Sequence, residues 1–481
     1  MISARKCRAW ACVVLSIGFL TGCFAHVEHL PKADPRVPSF QPLPQRSPLL
    51  VGIALSGGGS RAAYFGAAGL EALAYIRQGS DQPSLLEQVS HISSVSGGSL
   101  ASSYYVTHKP PSDVRVLTPN GSLTPEYRSF FDQYRATMGR NYQLSLELRQ
   151  FFNVRWFNSN QRATSLAEVL ADGFLCDETF ESFYEREKKG DSPRLIINTT
   201  LYNNGRRFIL TTIPRDEFRY DLIDKLQKDL GAQSKDPAHA KKFPESLRQA
   251  QTALIPLTFQ DVEADPHNVP LSRAVAASAS FPFFIGPITV QVQGKETYLH
   301  AGDGGLFDNQ GTESLVQLFL QKLQEGKAKR ALVLAFDSSF PFWVKNDTLD
   351  MIRNGFEIFT KDSGRIVGIM EQRANAYQSM VWHILQSQHI VLPDESTIKV
   401  IVLRHTDDVW TDPKTDLPEA CRSEAASFKR KEDIRERLAM FPTLFKIGSE
   451  CDKALLRTAA ERVVEKKKDE IVSFFRTAKE N

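Results

Sequence analysis

The chain has 481 residues, with 59 Lys and Arg against 56 Asp and Glu, a formal charge of +3. At 42% apolar and 24% charged it has a globular composition, which excludes a disordered, collagen-like or polytopic membrane protein. So small a charge imbalance leaves no electrostatic footprint for nucleic acid, and no such partner is expected.

Residues 1–22 hold Arg5, Lys6 and Arg8, then an apolar run from Ala9 to Leu20, then small residues. That is the make-up of a secretory signal, too short to span a bilayer comfortably as a permanent anchor. It closes on Leu20-Thr21-Gly22-Cys23, which resembles the lipobox of bacterial lipoproteins. The resemblance implies that Cys23 becomes the acylated first residue, held in a membrane by its chains at about 0.8 kcal/mol per buried methylene. Phe24 stands where lipoproteins retained in the inner membrane tend to carry Asp. The expected location is therefore the bacterial cell envelope, at the outer membrane. An ordinary signal peptide with a chance cysteine, or a buried helix, is the other reading. Removing three basic and no acidic residues leaves 56 against 56, so attachment has to come from lipid on Cys23 and not from net charge.

Cys7 and Cys12 leave with the signal, so Cys176, Cys421 and Cys451 remain for at most one disulfide. Cys421 with Cys451 is the favoured pair because both lie in polar surroundings, and closing about 30 residues contributes ~3–4 kcal/mol on the chain-entropy model. Three free thiols is the alternative. Residues 23–48 form the lipidated cysteine and a tether whose six prolines from Pro31 to Pro48 predict an extended spacer.

One large domain is expected over 49–478. Leu49–Leu55 reads as a buried strand and Ala62–Ile76 as a helix; Val89–Val95 is a second strand and Ser99–Val106 a second helix. Strand, helix, strand, helix with short joints predicts a parallel sheet. Further strands are expected at 194–200, 208–212, 288–292, 331–336 and 399–403. A helical insertion spans about 119–190, rich in aromatics (Phe130, Phe131, Tyr134, Phe151, Phe152, Trp156, Phe157), and Ser165 with Glu168 predicts the start of one of its helices. Core packing of those helices, or a cover over a pocket, would both use such a stripe. A C-terminal helical part of about 346–478 ends in an amphipathic stretch, Asp452–Arg476, expected to dock on the domain.

Three segments carry chemistry. In His91-Ile92-Ser93-Ser94-Val95-Ser96-Gly97-Gly98 a serine stands at a strand-to-helix turn, where a helix N-terminus favours developing negative charge. Ser94 occupies the place of the first glycine of Gly-x-Ser-x-Gly. Ser56-Gly57-Gly58-Gly59-Ser60-Arg61 can point several backbone N–H groups at one oxyanion. Gly57, Gly59 and Ala62 also fit a dinucleotide fingerprint, but Asp81 lies in a loop and not at the end of the following strand. Gly302-Asp303-Gly304-Gly305 puts a carboxylate between glycines at a strand end, where it can approach another group without crowding.

In this order and spacing, the three segments closely resemble the patatin-like phospholipase family, with Asn309 six residues after Asp303 and the small-residue stretch 274–287 also similar. The resemblance implies a three-layer αβα fold with a mostly parallel central sheet, a Ser–Asp dyad without histidine, and no cofactor. Ser96 is then the nucleophile, Asp303 the base, Gly57, Gly58 and Gly59 the oxyanion hole, and Arg61 the brace of that loop. It implies a phospholipid or lysophospholipid substrate cleaved through an acyl-enzyme by a membrane-anchored serine acyl hydrolase. Ser94, Ala62 and Gly311 depart from the family pattern without touching a reacting group. Two other readings stand beside it: a Ser–Asp–His triad using His405, in the usual chain order of α/β-hydrolases, and a non-catalytic lipid- or protein-binding lipoprotein. Asp261, Asp265 and His267 lie close in sequence but in a polar loop, and no metal is expected.

Overall fold

The computed structural model describes residues 27–37, 39–79, 82–153, 155, 158–221, 245–282, 284–339, 370–371, 373–383 and 396–476. Cys7, Cys12, Cys23, Asp81, Trp156 and Phe157 lie outside them. Among the described residues nine strands form one sheet: β1 Glu28–Leu30, β2 Leu49–Leu55, β3 His91–Val95, β4 Arg194–Leu201, β5 Arg206–Thr211, β6 Ile288–Val292, β7 Tyr298–Asp303, β8 Arg330–Asp337 and β9 Thr397–Arg404. Its body is the parallel run β4-β3-β2-β8-β9.

Strand β2 shows why both faces are covered. Its successive side chains point to opposite faces, and nearly all of them are apolar. Val51, Ile53 and Leu55 join one core with helices α1 (Gly59–Ala74) and α2 (Gly97–His108). Leu50 and Ala54 join the other. There the covering helix supplies Leu315, Val316 and Phe319. The helical insertion adds α3 (Pro125–Met138), α4 (Tyr142–Phe152), α5 (Ser159–Leu170) and α6 (Phe180–Lys189). Downstream follow α7 (Glu245–Leu254), α8 (Leu271–Ser278), α9 (Thr312–Gln324, the covering helix), α10 (Lys431–Ala439) and α11 (Glu450–Arg476). The architecture is a mixed sheet between helical layers, the three-layer α/β fold expected.

Strand β4 is where the parallel order breaks. Ile196–Leu201 pairs with antiparallel β5 along one edge. The other edge is shared: Arg194–Asn198 pairs with β3, and Thr199–Leu201 pairs with β7 running the opposite way. Strands β3 and β7 therefore meet end to end on a single edge of β4.

The tether departs from a free spacer. Glu28–Leu30 is a strand parallel to β6, and the Asp265 N–H donates to Pro31 O and the Ala33 N–H to Glu263 O. Phe40 is buried and stacks on Tyr184 at 4.7 Å. Proline removes donors, not carbonyls, so an extended proline-rich segment can still lie along a sheet edge and bury its aromatic. Helix α5 also starts earlier than Ser165. Asn158 caps it by accepting from the N–H groups of Asn160 and Gln161, while Ser165 sits mid-helix donating to Gln161 O. Phe130, Phe131 and Tyr134 are core, whereas Phe151 and Phe152 are exposed. Cys421 and Cys451 are joined by a disulfide, Cα atoms 4.6 Å apart, and Cys176 is free and exposed. Both bonded cysteines are buried in the larger core, so the polar surroundings read from the sequence are not their environment.

Helix α11 docks through a buried face that includes Leu455, Leu456, Ala459, Ala460 and Val463. Leu455→Ala is expected to lower unfolding free energy by ~2–5 kcal/mol in urea titration. An unchanged midpoint would show that α11 stands outside the cooperative fold.

Candidate active site

Strand β3 is buried along its whole length and ends at Val95, so the chain must turn sharply to leave the sheet. Ser96 takes that turn at φ 50° and ψ −118°, a left-handed backbone rare for a non-glycine residue. Two contacts oblige glycine after it. A Cβ on Gly97 would lie 2.0 Å from Gly59 O, and one on Gly98 2.3 Å from Leu55 O. The elbow is held from behind by a polar net. The Ser96 N–H donates to Ser278 Oγ at 2.9 Å, and the Ser278 hydroxyl donates to Asn198 O at 2.7 Å. Asn198 Nδ2 donates to Ser93 Oγ and Ser94 O, both at 2.9 Å. Ser94, the departure from Gly-x-Ser-x-Gly, accepts from the Ser102 hydroxyl at 2.8 Å. Its hydroxyl is accommodated by partners, not by space.

Asp303 is the last residue of β7. Its register partner is Thr199, and Val95 pairs with Asn198, so the two strand ends bring Ser96 and Asp303 together. Asp303 is buried and its Oδ1 accepts the Gly305 N–H at 2.8 Å. Burial pushes its carboxyl up to about 7, against the opposing pull of the Gly305 N–H and the Ser96 hydroxyl. Gly304 is required by proximity, because a Cβ there would lie 2.4 Å from Asn198 O.

The glycine-rich loop closes the third side. Gly58 and Gly59 adopt φ 138° and 61°, conformations that L side chains disfavour. The N–H of Gly57 is already engaged, donating to Asn309 O at 2.9 Å. In this conformation that N–H is therefore committed to Asn309. Helices α1 and α2 start at Gly59 and Gly97, so two positive helix ends converge beside Ser96. Arg61 is buried and donates to Phe441 O, while the Ser60 N–H donates to Leu444 O at 2.8 Å. The segment around 441–444 is thereby strapped to the start of α1. Burial lowers the Arg61 guanidinium to about 10 despite Glu371 and Asp337.

Two groups near the dyad were not among the expected site residues, although Ser278 lies inside the 274–287 stretch. Ser278 acts from α8, and Glu371 feels the charges of Asp303, Arg61 and Asp337, with burial as the larger cause pushing it up to about 8. His405 follows β9, three strand spacings from β3 or roughly 14 Å across the sheet. It is buried with Nδ1 3.3 Å from Asp337 O, and burial lowers it to about 3, a poor general base at neutral pH. His267 pairs with Asp265, whereas Asp261 faces Arg219 and Thr258. Among the described residues no group of three or more His, Cys, Asp or Glu is gathered to hold a metal, and no helix is long and apolar enough to cross a membrane.

The family model for patatin-like phospholipases matches residues 53–316, which contain all three motif segments. The chain belongs to that family. Among solved structures, it is 14% identical to human GIVD cytosolic phospholipase A2, covering 89% of this chain and 62% of that one at a TM-score of 0.43. The same protein with methyl gamma-linolenyl fluorophosphonate gives 14% identity, 89% and 59% coverage, and a TM-score of 0.40. VipD from Legionella pneumophila is 11% identical over 86% of this chain and 70% of that one, with a TM-score of 0.25. The chain thus spans about three-fifths of the length of the phospholipase A2 structures. No curated protein matches it.

Asp303 leaves a signature in stability. Between pH 4 and 7 the unfolded chain releases this proton while the folded chain keeps it, so the residue makes folding less favourable as pH rises. Asp303→Asn is expected to match the wild type near pH 4 and to exceed it above pH 7, by on the order of 2–4 kcal/mol in denaturant titrations. Equal stability at both pH values would show an ordinary, solvated carboxylate.

Proposed function

We propose that the protein is a lipid acyl hydrolase of the phospholipase A or lysophospholipase type, working through Ser96 and Asp303. The observation that carries this reading is the meeting of a strained elbow serine with a buried carboxylate raised to about 7. A carboxylate with the usual pKa near 4 is too weak a base for a hydroxyl, and burial supplies the missing basicity.

Asp303 takes the Ser96 proton as Oγ attacks the acyl carbonyl. The carbonyl electrons move to oxygen, where the Gly58 and Gly59 N–H groups and the two helix ends receive the charge. Collapse breaks the ester bond, and protonated Asp303 returns its proton to the leaving alcohol. Asp303 then deprotonates water, which attacks acyl-Ser96; collapse breaks the bond to Oγ, which takes the proton back from Asp303 as the fatty acid leaves. The distance and neutral state of His405 favour this dyad over a triad. Membrane anchoring through acylated Cys23, in the cell envelope at the outer membrane, belongs to the same reading and rests on the sequence at 20–23.

Ser96→Ala is expected to abolish hydrolysis of a phospholipid panel, and Asp303→Asn to reduce it by ~10²–10⁴-fold, while His405→Ala stays within a few-fold of wild type. The acid limb of kcat/KM is expected near pH 7 and not near 4. Retained activity in both dyad variants would refute the mechanism. A limb near 4 would refute the role of burial. Radiolabelled palmitate is expected on the wild type and absent from Cys23→Ser; label that persists would place acylation elsewhere.

A further inference from the structure

Helix α4 presents an apolar face to solvent. Leu144, Leu148, Phe151 and Phe152, on successive turns, are 53%, 48%, 73% and 74% exposed, whereas Tyr142 and Leu146 are buried beneath. An ordinary surface helix would put polar residues there. We propose that this face docks on the phospholipid surface from which substrate is drawn; the proposal rests on the lipid-hydrolase reading above.

Two connections argue for a bilayer. The first runs to the catalytic loop. The Gln143 N–H donates to Phe445 O at 3.0 Å, and the neighbouring Leu444 O accepts from Ser60 beside Gly59. Phe445 is buried and lies 6.5 Å from exposed Phe284, so a further exposed aromatic sits against the segment that joins α4 to the catalytic loop. The second runs to the N-terminus. Glu28 pairs with Arg273 and accepts from Thr164 on α5, which Arg149 of α4 bridges through Glu168 at 3.2 Å. Cys23 is five residues before Glu28, so chain geometry keeps it within about 18 Å of that point. An acyl anchor at Cys23 and the α4 face would thus meet the same membrane.

The attraction is apolar. Arg149 of α4 and Arg155 just beyond it are already paired with Glu168 and Asp172. A zwitterionic surface therefore suffices, with the phenylalanines entering the boundary between headgroups and acyl chains.

The test uses the full chain reconstituted in phosphatidylcholine vesicles whose acyl chains carry bromine. In a Ser96→Ala background, Phe152→Trp is expected to add blue-shifted emission that the bromines quench. Emission that stays water-like and unquenched overturns the proposal. The double variant Phe151→Ser, Phe152→Ser is expected to lose at least tenfold in hydrolysis of vesicle phospholipid while hydrolysing p-nitrophenyl butyrate within twofold of wild type. Parallel losses on both substrates overturn it too, because the helix would then be structural. A concentration-dependent dimer in sedimentation, abolished by the double variant and accompanied by no quenching, would assign the face to a second copy and also overturn it. Should the wild type hydrolyse neither substrate, the lipid-hydrolase reading fails, and quenching in the Ser96→Ala background still decides the docking face.

Discussion

One edge of β4 receives two strand ends from opposite directions. Strand β3 arrives beside Asn198 and β7 beside Thr199, adjacent residues of a single strand. Backbone ladders fix this meeting before any side chain is considered, and pleated registers do not slide without turning every residue to the other face. The nucleophile follows one strand end and the carboxylate closes the other. Around that junction the remaining parts are tied to backbone atoms: Asn198 O accepts from Ser278, which in turn accepts from the Ser96 N–H, and Asn309 O accepts from Gly57. The dyad is positioned by the sheet more than by its own contact.

Burial then gives these groups their chemistry. Water is kept from Asp303, so its charged form is disfavoured and its basicity rises, while two helix starts offer positive potential where negative charge will develop. The same exclusion of water makes His405 neutral and leaves it without a role in proton transfer. One physical term, desolvation, separates a usable base from an unusable one. Chain order alone would have admitted either.

Much of this was legible in the sequence. Seven expected strands appear within a few residues of their expected ends; β2 and β8 show most plainly why, since buried strands in a parallel sheet are continuous apolar runs, whereas β6 alternates apolar and polar residues. The serine elbow, the glycine loop and Asp303 were legible because each needs small residues at fixed offsets. Strand β1 was not, since proline density masks a three-residue strand on a sheet edge. Helix α5 was misplaced because Ser165 and Glu168 imitate a capping box, while Asn158 captures the real start and Glu168 serves Arg149 and Arg155. Gly57 was expected as an oxyanion donor, and its N–H is bonded to Asn309 O, a contact between distant segments that spacing does not encode. Ser278 sat in the 274–287 stretch without a role and Glu371 had no motif, because what they touch depends on how distant elements pack. The junction on β4 depends on register between segments a hundred residues apart, which composition and spacing do not encode.

The central claim is that Ser96, and no other serine of this buried hydroxyl cluster, is the nucleophile. Mapping a fluorophosphonate adduct by tandem mass spectrometry on the active, membrane-reconstituted protein tests it most directly. The account predicts stoichiometric modification at Ser96, lost in Asp303→Asn at short exposure. Modification at Ser60, Ser93, Ser94 or Ser99, or an adduct that survives Ser96→Ala, would contradict it.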